Sequence, residues 1–311
     1  MNTPNQESRE AWLLAHVNDP AVPAAAMADI LDGWQAAGQA ERAQSAADLV
    51  IEAMIARRDE PGLVALLTRL AAWHAGEAPY PFASTCAKHL IACCQKDAAA
   101  LALIPQAGFT KNVPAAECLR RFACLRRLKP GALCYEKTWG FGVVRGVDTY
   151  DHQAVIDFDQ KPAHRMALAY AAETLQMLDE NHLLARRHRD PAAFSAWLKE
   201  DPAGAVLCAL ASFGPLTAAA LQDQMAGLLG GPQGWKPFWD AARKRLKQHP
   251  LVDFPAKRTE PLRLLDTQKR YDDAWRRSLL EMRDAEKILQ AVGELADAEI
   301  PDAERGAMLE A

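Results

Sequence analysis

The hydrophobic pattern of the chain changes twice, and the short segment between the two changes constrains the fold most. Up to about residue 128, apolar residues recur every three to four positions, the spacing of a buried helix face. From there to about residue 180 the pattern is that of strands: Ala154, Ile156 and Phe158 occupy alternate positions. Four or five short strands in so few residues are too few for a sandwich, and they predict a small, bent barrel whose closure protects the strand edges.

The helical period returns after residue 181, so the sequence predicts a mainly α protein in three parts. The first, 1–128, is an acidic domain of roughly six helices, arranged as hairpins in a bundle or a repeat array. The second, 129–180, is the small β-barrel. The third, 181–311, is a C-terminal helical region with a tryptophan-rich helix around Trp235 and Trp239 and a long terminal helix over 266–296.

The distribution of charge and the number of cysteines indicate which partners and which cellular compartment to expect. The net charge is −4, but the first hundred residues hold 7 Lys/Arg against 12 Asp/Glu, so polyanion contacts are expected only beyond them. Seven cysteines, an odd number without a secreted spacing, predict reduced thiols. The polar first residues carry no signal peptide, and no apolar run approaches the ~20 residues of a membrane span. These features predict a cytoplasmic protein without membrane contact.

The most informative string is Trp139-Gly140-Phe141-Gly142, followed by the valine pair Val143-Val144. Two glycines one residue apart within a strand favour a sharp bend or a close backbone approach. The string does not satisfy the nucleotide-binding pattern G-x-G-x-x-G, because Arg145 stands where glycine is required and no helix follows. A barrel corner is therefore the better interpretation.

The segment containing this corner resembles the Tudor-like small barrels of bacterial transcription and repair proteins, including those at the C-terminus of the UvrD/PcrA helicases. The shared pattern is a basic entry at Lys137, the tryptophan-glycine corner, the valine pair, and an acidic-aromatic pair at Asp157-Phe158. The likeness covers only about 50 residues. Because such barrels dock RNA polymerase, the resemblance implies a bacterial RNA polymerase as partner.

A wider resemblance, over roughly residues 115–265, is to the extended N-terminal region of long Gre-type (GreA/GreB) transcription elongation factors. It rests on the barrel, the segment KPAHRMALAYAAETLQML after it, and the helix WKPFWDAARKRLKQHP. The Gre module itself, a coiled coil with an acidic tip followed by a small domain, has no counterpart before Ala311. The resemblance therefore implies docking on polymerase and does not extend transcript cleavage to this chain.

Two sets of residues are candidates for partner contact. Trp139 is either a barrel core residue or a surface recognition residue, and both interpretations stay open. The basic residues are either a solvated helix face or a contact for nucleic acid or an acidic protein surface. The candidate corner contacts are Lys137, Trp139, Gly140, Phe141, Gly142 and Arg145; the candidate polyanion contacts are Arg120, Arg121, Arg126, Arg127, Lys129, Arg243, Lys244 and Lys247.

The chain carries no pattern that predicts catalysis, a metal or a cofactor. Cys86, His89, Cys93 and Cys94 share a helix face, but residues seven apart lie about 10 Å apart, too far for one zinc ion. We therefore expect a non-catalytic protein without cofactor, metal or small-molecule substrate. The alternatives are a helical scaffold or adaptor without a transcription role, and a direct nucleic-acid binder acting through its basic helix faces.

Overall fold

A computed structural model describes residues 6–76, 79–255, 257, 259–265, 279 and 282–296. The protein is mainly helical with one small five-stranded antiparallel sheet near its middle, which confirms the predicted fold class. Two compact units divide the chain, Met1–Leu178 and Asp179–Ala311. Among the helices in the described ranges, none is long and apolar enough to cross a bilayer.

The first unit opens with helices whose apolar faces share one core. Asp59 and Asp97 start two of them as N-caps, accepting hydrogen bonds from the Gly62 and Ala100 amides at 2.9 and 3.0 Å. Trp34 and Leu63 are fully buried between the helices. The helices are α1 (Gln6–His16), α2 (Ala24–Ala36), α3 (Ala40–Arg57), α4 (Glu60–Ala71), α5 (Pro79–Cys93), α6 (Ala98–Gln106) and α7 (Ala115–Arg127).

The sheet follows directly and runs in the order β4-β3-β2-β1-β5. Ala154, Ile156 and Phe158 are all buried, as the alternation predicted. Its last strand returns to pair with the first, through Cys134 opposite Met177. The strands are β1 (Leu133–Glu136), β2 (Gly140–Asp148), β3 (Gln153–Phe158), β4 (Lys161–Ala167) and β5 (Gln176–Met177), and a short helix, α8 (Leu168–Thr174), links β4 to β5.

Helix α8 corrects the sequence interpretation, which took all of this region as strands. Its segment LAYAAET is rich in alanine, a strong helix former, and Leu168, Ala171 and Ala172 bury one face three to four residues apart. The strand pairing joins β5 to β1 but includes no ladder from β4 to β5 within this fully described segment. The closed barrel therefore stays a prediction.

The sheet and the N-terminal helices bury their apolar side chains in one continuous core. Phe122 of α7 and Ile156 of β3 belong to the same cluster of buried residues. The predicted division between residues 128 and 129 stays a prediction, because a shared core does not decide whether either part folds alone.

The second unit is a set of short helices around its own core. Asp190 and Asp201 cap two of them, each followed by proline, a combination typical of helix starts. Two minimal strands, β6 (Val252–Asp253) and β7 (Arg263–Leu264), pair after the tryptophan-rich helix. The helices are α9 (Leu183–Arg189), α10 (Pro191–Glu200), α11 (Pro202–Phe213), α12 (Ala218–Ala226), α13 (Trp235–Leu246) and α14 (Ala285–Ala296).

The long terminal helix predicted over 266–296 is not continuous. Residues 282–284 lie outside any helix, and α14 begins at Ala285. Asp284 provides the physical reason, because its side chain accepts a hydrogen bond from the Lys287 amide at 3.5 Å and so starts a new helix. The part of the prediction over 266–278 lies outside the described residues.

Candidate functional site: the tryptophan corner

The β1–β2 turn carries the predicted site, and a buried carboxylate holds it in place. Glu136, only 4% exposed, accepts hydrogen bonds from the backbone amides of Thr138 and Trp139 at 2.6 and 3.1 Å. It lies opposite Gly140 in the β1–β2 register. Since both amides bond to one charged acceptor, the turn has a fixed geometry. We call Glu136–Gly142, together with Phe158, Lys161 and His164, the tryptophan corner.

Trp139 is half-buried and contacts side chains from two other strands. Its ring lies 5.7 Å from that of Phe158 and 4.1 Å from that of His164, measured between centroids. The Lys161 ammonium lies 5.2 Å from the Trp139 ring centroid, a cation–π distance. One part of the indole therefore packs on the core while another part is accessible, and recognition by the accessible part stays a prediction.

The two glycines of the corner serve different purposes. Gly140 has φ +79°, a backbone conformation that glycine adopts without strain. Gly142 is needed for space: a Cβ there would lie 2.6 Å from Phe158 Cδ1 and 2.9 Å from Ile156 Cγ2. The predicted bend and the predicted close approach are therefore both present, one at each glycine.

Arg145 lies further along β2, where the β2–β3 register shifts between Val144 and Gly146. Its side chain is exposed and bonds Asp157 with an Nε–Oδ2 distance of 2.5 Å. Asp157 also accepts the Ala163 amide at 2.8 Å, and these two bonds, the backbone one first, lower the pKa of its carboxyl. Arg145 is thus a positioned cation on the sheet surface.

The corner combines exposed cations, half-buried aromatic rings and one imidazole. Lys137 and Lys161 are exposed beside the half-buried indole, while Phe141 is half-buried in β2. Burial, and then the neighbouring Lys161 charge, lowers the pKa of His164, so the imidazole beside Trp139 is neutral near pH 7. The accessible edge of Trp139 therefore lies next to at least one exposed cation, Lys161.

Sequence reasoning missed three members of this corner. Glu136 was not singled out, although an acidic residue two positions before a Thr-Trp turn is a signal for side-chain capping of backbone amides. Lys161 and His164 come from β4, more than twenty residues along the chain, and only the β3–β4 register brings them to Trp139. No local pattern marks them.

Most of the α7 arginines predicted as polyanion contacts have partners within the protein. Arg120 and Arg121 both bond Glu117 at 2.7 Å, and the two arginines lower the pKa of that carboxyl to about 2. Arg126 joins Glu60 and Asp97, each at 2.8 Å. Arg127 also interacts with another residue of the protein. Lys129 is exposed, two residues after the end of the helix. These ion pairs hold helices together and neutralise part of the charge, and polyanion contact by the cluster stays a prediction.

The α13 cations are different, because they lie on an exposed helix face. Arg243, Lys244 and Lys247 are exposed in its last turns. Lys247 has its ammonium 5.8 Å from the Phe254 ring centroid. Arg243 and Lys244 have no ion pair with any residue in the described part of the chain.

The cysteines of α5 are buried core thiols, which confirms the interpretation of their helix face. Burial raises the pKa of Cys86 to about 12, and burial together with the adjacent Glu60 raises that of Cys94 to about 12. These thiols are protonated at neutral pH. Across the described ranges, no group of three or more His, Cys, Asp or Glu side chains is arranged to hold a metal ion.

Comparison with known proteins relates the chain to a transcription family over part of its length. A family model described as the GRAD helix-turn-helix domain matches residues 184–269. The transcription elongation factor GreA of Chlamydia trachomatis is 28% identical over 156 residues, 50% of this chain and 22% of that protein. The GreA of Chlamydia pneumoniae is 30% identical over 173 residues, 55% of this chain and 24% of that protein. The match therefore spans about a quarter of these relatives, and no solved structure matches significantly.

Proposed function

We propose that this chain is the non-catalytic, RNA polymerase-docking part of a Gre-like transcription elongation factor. The observation that carries the proposal is its likeness, over half its length, to two proteins named transcription elongation factor GreA. The partner is a bacterial RNA polymerase, and the setting is the cytoplasm. Seven unpaired cysteines agree with a reducing compartment.

The sheet acts in this proposal as a Tudor-like barrel. Its support is the topology: five short antiparallel strands, with β5 paired back to β1 after the short helix α8. The bulge in β2 after Val144 adds curvature of the kind that small barrels use.

The tryptophan corner is the proposed contact surface. The turn is held rigid by Glu136, so binding orders little additional backbone. The accessible part of Trp139 supplies apolar area, and Lys137 and Lys161 supply charge for acidic groups on the polymerase. Arg145, exposed further along β2, stays a proposed contact, with its guanidinium paired to Asp157.

The same geometry supports a role without chemistry. Glu136, the buried carboxylate of the corner, accepts two backbone amides and is not available as a general base. The α5 thiols are protonated, and thiolate is the nucleophilic form. We accordingly propose neither cofactor nor small-molecule substrate.

Binding to purified bacterial core RNA polymerase tests the proposal. The double variant Lys137→Glu/Lys161→Glu reverses both corner charges, and Lys88→Glu/Lys96→Glu makes the same change of charge at two exposed positions, one in helix α5 and one in the turn after it. We expect the corner variant to bind at least about tenfold more weakly, about 1.4 kcal/mol, and the helical variant to bind as the unaltered chain. No binding of the unaltered chain at micromolar concentration overturns the proposal.

The alternative of a helical adaptor without a transcription role predicts that the unaltered chain does not bind polymerase at all. Deleting the N-terminal helices is unsuitable as a test, because they share a core with the sheet. Loss of polymerase binding only in the Lys88→Glu/Lys96→Glu variant would place the contact on the first unit's helices and overturn the corner as the contact surface.

A further inference from the structure

Helix α13 has an arrangement of exposed charged side chains that the packing of its apolar face does not explain. Trp235, Phe238, Ala242 and Leu246 are buried against the core of the second unit. The exposed positions of the helix and its C-terminal cap hold five cations and one carboxylate: Lys236, Arg243, Lys244, Arg245, Lys247 and Asp240.

Three of these cations form a row along the helix, which we call the α13 stripe: Lys236, Arg243 and Lys247. With 100° per residue, positions 236, 243 and 247 fall within about 40° of one another around the axis. Their spacings along the axis are about 10 Å and about 6 Å. The three charges therefore face one direction over roughly 16 Å, with Lys244 and Asp240 beside them.

Ion pairs within the described part of the chain do not neutralise the three cations of the stripe. In the described part of the chain, Lys236 and Arg243 have no ion pair, and Lys247 contacts only the face of Phe254. The neighbouring Arg245 is different, because its guanidinium lies 3.6 Å from the Asp201 carboxylate, and it does not belong to the stripe.

The helix dipole accounts for some of these positions and not for all. Cations in the last turn, such as Arg243, interact favourably with the negative end of the dipole. Lys236 lies in the first turn, where the dipole favours an acidic residue. Its place in the stripe needs a reason outside the helix.

We infer that the α13 stripe binds the phosphate backbone of a nucleic acid duplex. The exposed large hydrophobic side chains of the described residues include none from α13. Protein interfaces depend on apolar and aromatic anchors, and interfacial membrane helices need an apolar face turned to the lipid. Single-strand binding needs exposed aromatic rings for base stacking. A row of cations without these features matches phosphate contact, which releases counterions and needs only charge.

This inference goes beyond polymerase docking and does not depend on it. The stripe lies within residues 184–269, which match a helix-turn-helix model, and in such modules a helix lies against duplex DNA. The chain as a whole has net charge −4, so any duplex affinity has to come from a local surface.

The test measures binding of the full chain to a fluorescent DNA duplex of about 20 base pairs, roughly two helical turns. Anisotropy titrations at salt concentrations between about 50 and 200 mM give the slope of log K against log salt. The stripe variant is Lys236→Gln/Arg243→Gln/Lys247→Gln. The control, Lys88→Gln/Lys96→Gln/Lys111→Gln, removes the same charge from exposed positions of the first unit.

We expect the unaltered chain and the control to show the same steep slope, and the stripe variant to have a slope shallower by about 2 to 3, since each lost phosphate contact removes about 0.9. Circular dichroism of all three proteins should be unchanged, because the altered side chains are exposed. Absence of duplex binding at the lowest salt, or equal slopes for the stripe variant and the control, overturns the inference. So does competition by polyglutamate as effective as that by unlabelled duplex, which would identify an acidic protein surface as the ligand.

Discussion

At the scale of single residues, the corner requires a position without a side chain, Gly142, because buried side chains lie directly against its backbone. Gly142 packs its bare backbone against Phe158 and Ile156, both buried. The glycine pair predicted this close approach from the sequence, because strands lose stability at glycine without a compensating reason. Which of the two glycines needs space and which needs a positive φ could not be predicted, since that depends on the partner strand.

Gly142→Ala should destabilise the first unit by about 1 to 3 kcal/mol, because the methyl group would overlap a buried ring. Gly146→Ala is the matched control: the same strand, but with nothing within 4 Å of the added carbon. Urea unfolding followed by circular dichroism measures both. Equal stabilities of the two variants would contradict the packing described for the corner.

At the scale of secondary structure elements, ion pairs between helices that are far apart in the chain were the hardest feature to predict from the sequence. Arg126 was a candidate polyanion contact because of its basic neighbours. In the structure it bonds Glu60, at the start of α4, and Asp97, the N-cap of α6. These partners are 66 and 29 residues away in the chain, so no local pattern reveals them.

Arg126→Gln is therefore expected to lower the free energy of unfolding and to leave duplex affinity unchanged. The three groups are partly exposed, so we expect a loss of only about 1 to 2 kcal/mol from removing one partner of the network. Denaturant unfolding and the anisotropy titration measure the two effects on one preparation. An unchanged stability with weakened duplex binding would return Arg126 to the list of polyanion contacts.

The cap of α9 makes the second unit sensitive to acid. His182 is buried, and its Nδ1 accepts the Leu184 amide at 3.2 Å, which requires a neutral ring. Burial lowers the pKa of His182 below the ordinary 6.5, so the unfolded chain takes up the proton first as the pH falls. The stability that the neutral imidazole provides is present above about pH 6.5 and is lost as the pH falls from there towards the folded-state pKa.

His182→Asn keeps an oxygen acceptor for the cap and removes the titration. We expect unfolding free energies measured from pH 7.5 to 5.5 to fall more steeply in the unaltered chain than in this variant. His89 and His164 also have pKa values lowered mainly by burial, and they contribute equally to both proteins. Parallel pH profiles would show that His182 does not titrate in this range.

At the scale of the whole molecule, the order of helices, sheet and helices followed from hydrophobic period alone. Helix starts at Asp59, Asp190 and Asp201 were readable because capping and proline act within one turn. The α8 helix and the β6–β7 pair were missed because seven-residue and two-residue elements are too short for a period to show. Of the site, the corner was predicted as a contiguous string, whereas its partners from β4 depend on strand register.

The central claim is that the tryptophan corner contacts RNA polymerase, and site-specific photocrosslinking tests it most directly. A photoreactive residue replaces Lys137 at the corner in one protein and Lys96, exposed in the turn between α5 and α6, in another. After irradiation with bacterial core polymerase, the account predicts a crosslink to a polymerase subunit from position 137 and none from position 96. A crosslink from position 96 alone, or from neither position while the complex forms, would contradict it.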